Sequence, residues 1–185
     1  MKQACKVEDY MQQDELTAIK EWYRYNTYVR KKYLDAIEKL PAQEIDRDRG
    51  ASFPTLVDIL AHTLDAYASW FFYTWEGKQF DRSKRIRGRV KTVRELKEEE
   101  KKVDSGIMKF VEDLSAPDLD KTFEDTWEDG RKWRFTLRQM LWHMVEEELQ
   151  HRGELNALLW QMDIDPPITD WIDWKIEIGE IKQIQ

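Results

Sequence analysis

The residues of this chain best suited to chemistry are three histidines and a glutamate. His143, Glu147 and His151 follow one another at four-residue intervals in Leu141-Trp-His143-Met-Val-Glu-Glu147-Glu-Leu-Gln-His151. On an α-helix that spacing stacks them along one side, turn above turn. His62 lies far away in sequence, in the apolar-periodic stretch Leu56-Val-Asp-Ile-Leu-Ala-His62-Thr-Leu-Asp-Ala. Imidazole and carboxylate groups ligate divalent cations, and helical bundles build metal sites from inward-pointing side chains on facing helices. Spacing alone leaves two readings open. One is a metal site; the other is a core histidine satisfied by a hydrogen bond beside a solvated charge run, Glu146-Glu-Glu148.

A helical wheel ranks the candidates. With Glu147 set at zero and about 100° per residue, Leu137, Met140, Met144, Leu155, Leu158 and Met162 cluster around roughly 60°. His151 falls inside this apolar stripe and Glu147 on its edge. His143 lies further out, and Glu148 on the opposite shoulder. An ionised glutamate at the edge of an apolar stripe is costly unless something positive meets it, so the wheel prefers Glu147 with His151 over His143 with Glu147. On the other stretch His62 shares a face with Ile59, Ala66 and Ser69, as expected for inward projection. A carboxylate-bridged di-metal site needs two Glu-x-x-His units, and only Glu148-Leu-Gln-His151 qualifies. The His-Glu dipeptide of zinc-protease helices is absent.

The elements that must position these residues read as helices. Apolar residues recur at helical spacing from Leu16 to Leu40, ahead of Pro41, and the first 13 residues are polar and expected to be loosely held. Ser52 or Thr55 can cap the helix that carries His62, and Gly77 stops it. Thr92 with Glu95, and Thr136 with Gln139, form capping-box patterns for two further helices. Helices are therefore expected over about 15–40, 54–76, 92–114 and 136–162, with residues 163–185 as a C-terminal tail. Between Pro117 and Phe135 the period changes, and Lys121–Trp127 and Lys132–Phe135 around Glu128-Asp-Gly130 read as a short hairpin. The expected fold is all-α: one domain, a four-helix bundle with a hairpin or irregular insertion before its last helix.

Composition narrows the function classes. A net charge of -7 argues against a nucleic-acid partner, and the basic cluster Arg82–Lys91 reads as a solvated interhelical loop. No apolar run has membrane-spanning length, and the lone Cys5 precludes an internal disulfide and suits a reducing compartment, so a cytoplasmic location is expected.

Several pieces carry a family resemblance: Tyr25-Asn26, Ser52-Phe-Pro54 through His62, Leu141-Trp-His143, His151-Arg-Gly-Glu154 and Pro166-Pro167. Together they resemble the DinB/YfiT-like superfamily of metal-dependent enzymes on a four-helix bundle, over about residues 16–175. The resemblance implies that a divalent metal is bound by His62, position 147 and His151. Position 147 is Glu where the family usually has His, and two histidines with one carboxylate form a competent set for zinc, nickel, iron or manganese. His143 matches a family position one turn away, which implies orientation of a ligand or contact with substrate. Gly153 is expected to permit close helix approach.

The resemblance also implies transfer or isomerisation of a small-molecule substrate with a low-molecular-weight thiol as cosubstrate. The alternative is a non-catalytic, metal-binding or stress-associated bundle. Family members often pair as homodimers. Trp142 and Trp160, on the far side of the last helix, are expected to need cover, either from a second copy or from the hairpin or the Trp171–Trp174 tail.

Overall fold

The computed structural model describes residues 2–127 and 129–184, with side chains from residue 11 onward; the Cys5 side chain and Glu128 lie outside the described residues. Four long helices form the body. They are α1 (Lys2–Ile37), α3 (Leu56–Ser69), α4 (Val93–Glu112) and α5 (Leu137–Trp160), with a short α2 (Ala42–Ile45) in the first connection and α6 (Trp171–Glu177) in the tail. Both α1 and α3 pack against α4 and α5, which closes the four-helix bundle. Among the described residues no helix is long and apolar enough to cross a membrane.

The helix starts follow local chemistry. Thr55, not Ser52, caps α3 by accepting from Asp58 N at 3.0 Å. Both capping boxes form: Thr92 and Glu95 open α4, and Thr136 and Gln139 open α5. The α3 helix ends at Ser69 in a single π-type turn, Trp70–Thr74, before Gly77 reverses the chain with φ +70°.

Three expectations need adjustment. Helix α1 runs back to Lys2, so the backbone of residues expected to be loosely held is helical. The tail, expected to hold no further helix, carries α6, which seats Trp171 and Trp174 against Trp22 and Tyr25 of α1. Open space surrounds the position of a Cβ on Gly153, whereas one on Gly106 of α4 would stand 2.7 Å from Phe72. The close approach is therefore at Gly106.

The insertion before α5 is a two-stranded antiparallel hairpin, β1 (Thr122–Thr126) and β2 (Lys132–Thr136), in register from Thr122 opposite Thr136 to Thr126 opposite Lys132. Phe123 and Phe135 turn towards Trp70, which ties the hairpin to the end of α3. The core between the helices holds Leu16, Ile19, Tyr23, Ile59, Leu64, Leu96, Ile107, Leu141 and Met144, all buried. One polar network interrupts it: Arg30 of α1 pairs with Asp104 of α4 and Glu148 of α5, and its guanidinium lies 4.9 Å from the Tyr67 ring centre. Glu148 is thus a buried structural charge, while Glu147 beside it, about 100° around the helix, turns to His62.

Candidate metal centre

His62 comes from the middle of α3, and Glu147 and His151 from one face of α5. Because α3 and α5 pack together, the three meet. One donor atom from each residue lies within 4.8 Å of the other two. His62 Nε2 stands 3.2 Å from Glu147 Oε1, and His151 Nε2 stands 3.9 Å from the same oxygen. Donors held about 2.1 Å from a tetrahedral zinc sit about 3.4 Å from one another, so these spacings suit one small divalent cation. The donor set fits as well, being two imidazoles and a carboxylate.

The charge state of the carboxylate agrees with that role. The hydrogen bond with His62 outweighs the effect of burial and, helped by His151, holds Glu147 below the usual carboxylate range. His151 is nearly covered, with 6% of its side chain exposed, whereas His62 shows 29% and Glu147 17%. The cluster therefore has a closed side towards the core and an open side at His62 and Glu147.

Residues around the three hold them in place. Glu154, one turn after His151, has its Oε2 3.1 Å from His151 Nδ1. Ser52 then secures Glu154, through its backbone N at 2.7 Å and its Oγ at 2.6 Å. Burial pushes the Glu154 carboxyl up, but the Ser52 bonds and His151 outweigh it, leaving it below its ordinary value. An ionised Glu154 accepts the Nδ1 proton of His151 and so leaves the Nε2 lone pair turned towards Glu147. Phe53 stacks on the His62 ring at 4.1 Å and 27°, and lies 5.7 Å from the ring of His151.

His143 does not join this group. It is exposed on α5, its ring 5.5 Å from Trp70 and its Nδ1 3.9 Å from Glu146. The orienting contact expected of it is made by Glu154. Sequence reasoning overlooked Glu154, Ser52 and Phe53. The signal for Glu154 was present as His151-Arg-Gly-Glu154, an i, i+3 pair on one helix; nothing local marked Ser52 or Phe53 as its neighbours.

A cavity of about 740 Å³ opens between the basic loop and the hairpin and includes Ser69, Arg85 and Thr126 in its walls. None of the three converging residues lines it. Ser69 lies on the helix of His62, about 10 Å further along.

Comparison with known proteins bears on what such a site belongs to. The sequence profile of the DinB family matches residues 11–180. The fold is similar to the crystal structure of a DinB-like protein from Bacillus cereus ATCC 10987, with a TM-score of 0.62 and 18% identity, over 80% of this chain and 93% of that one. At that identity the likeness concerns the fold. No curated protein matches the chain.

Proposed function

This chain belongs to the DinB family, and from that premise we propose that it is a divalent-metal-dependent enzyme acting on a small molecule, with a low-molecular-weight thiol as cosubstrate in an S-transfer or isomerisation. The observation that carries the reading is the convergence of His62, Glu147 and His151 around one point, open on one side. A site meant only to staple the fold is closed by protein ligands, and a chain of 185 residues buries enough core without one.

When bound, a divalent cation supplies Lewis acidity, which brings the pKa of a thiol or water held there towards neutrality. The chain's residues set the conditions for that chemistry. His62, Glu147 and His151 hold the cation, and Glu147 lowers the net positive charge of the site relative to three histidines, which softens the acidification. Glu154 and Ser52 keep His151 in one orientation. Phe53 shields one face of His62 from water. His143, exposed one turn above Glu147, is placed to touch a substrate rather than the metal. The lone cysteine is the basis for assigning the protein to a reducing compartment such as the cytoplasm.

The test is metal content by elemental analysis, followed by thiol-consumption assays on protein loaded separately with zinc, nickel, iron or manganese. Thiol consumption that depends on metal and is lost in His151→Ala supports the enzyme. Stoichiometric metal with no turnover of any thiol or electrophile supports the non-catalytic alternative.

A further inference from the structure

Among the described residues, Arg87 is a cation near the site whose guanidinium has no carboxylate within ion-pair distance. The Arg87 guanidinium lies 4.9 Å from the centre of the Phe53 ring, and that ring stacks on His62 at 4.1 Å. The charge is therefore no further from the His62 ring than the sum of those two lengths. Among the described residues its guanidinium has no carboxylate partner, although the chain carries a net charge of -7. The neighbouring acids are already engaged: Glu147 with His62 and His151, and Glu154 with Ser52 and His151.

Its position is built into the fold. Asp65, a buried carboxylate one turn after His62 on α3, accepts from Ile86 N at 2.7 Å and Arg87 N at 3.0 Å. The side chains of Ile86 and Val90 are buried on either side. The helix that supplies His62 thus also fixes the backbone of Arg87. A guanidinium in face contact with an aromatic ring still has its N–H donors directed outward in its own plane, the geometry that receives a carboxylate through two parallel hydrogen bonds. Two residues earlier, Arg85 lines the large cavity, so the same pinned segment runs from the metal rim into open space.

We infer that the small molecule taken by this site carries a carboxylate, bound by Arg87, while its other end meets the His62, Glu147 and His151 cluster. This rests on the metal reading above and adds a specificity determinant to it. A substrate of this kind is held at two points, which fixes its reacting atom against the cluster.

Zinc-loaded protein titrated calorimetrically with three chelating probes tests the inference. Acetohydroxamate has no second charge; the monohydroxamates of succinate and glutarate add a carboxylate. The expected result is that wild type prefers one of the carboxylate-bearing probes by about tenfold or more. In Arg87→Gln that preference disappears while acetohydroxamate binds as before, and Arg87→Lys, which keeps the charge without the planar fork, restores part of it. Metal content is measured on every sample. A loaded wild type with no carboxylate preference, or a loaded Arg87→Gln that keeps it, overturns this inference alone. A chain that takes up no metal overturns the metal reading and this inference together.

Discussion

His62 Nε2 lies 3.2 Å from Glu147 Oε1, although the two residues are 85 positions apart and sit on different helices. That single approach turns an i, i+4 pair on α5 into a three-donor cluster. Without a cation it is a hydrogen bond; with one, the same two atoms become neighbouring ligands at nearly unchanged spacing.

Loss of any of the three donors should remove the metal. His151→Ala, His62→Ala and Glu147→Ala are each expected to bring bound zinc close to zero by elemental analysis, while His143→Ala keeps most of it. A His143→Ala protein as metal-free as His151→Ala would place the site one turn higher on α5.

Glu154→Ala should weaken metal affinity about 10–100-fold, because it frees His151 to rotate and change tautomer. Competition with a chelator measures this. The melting temperature of the metal-free protein should change little, since Glu154 lies at the half-exposed end of the contact. An unchanged metal affinity would mean that packing alone orients His151.

Stability should fall as pH rises through neutrality. Burial and the adjacent Asp104 carboxylate push Glu100 up to about 7, against the opposing pull of Arg30 and Lys31. The fold prefers the protonated acid, so this contribution is fully present below the unfolded-state pKa of about 4.3 and is lost as pH passes through about 7. Melting curves of metal-free protein between pH 5 and 8 should show the decline, and Glu100→Gln should flatten it. A parallel decline in both proteins would assign the effect to other groups.

Arg30→Met should cost about 3–5 kcal/mol in chemical denaturation, because it leaves Asp104 and Glu148 buried without their counter-charge. Adding Glu148→Leu to Arg30→Met should recover part of that loss, since one uncompensated charge goes with it. No recovery would show that the network acts through shape rather than charge.

Homodimer formation is proposed through the apolar surface that the tail leaves open. The tail covers Trp22 and Tyr25 on α1, not the rings expected to need it. Trp142 is half-buried and donates to Glu15 at 2.9 Å, while Trp160 remains 60% exposed, as do Ile172 at 62% and Ile176 at 52% on α6. Sedimentation at micromolar concentration should give twice the chain mass, and Ile172→Glu with Ile176→Glu should halve it. A monomer at all concentrations ends the proposal.

The four bundle helices, both capping boxes and the hairpin were legible in the sequence because each rests on interactions within a few residues: apolar periodicity, a threonine bonding three residues ahead, a glycine with φ +82° in the turn. The start of α1 was not legible, since only a short apolar pattern (Ala4, Val7, Met11) marks its largely polar first turns, and intrahelical hydrogen bonds need no long stripe. The pairing of Glu147 with His151 followed from helical geometry, and the wheel's separation of Glu147 from Glu148 sent one to the rim and the other to Arg30. What only tertiary structure decided lies across helices and loops: His62 against Glu147, Ser52 beneath Glu154, Arg87 over Phe53, Gly106 against Phe72. Periodicity reports which face of a helix turns inward. It does not report which residues of another element stand opposite, because the packing of side chains along the whole bundle sets that register.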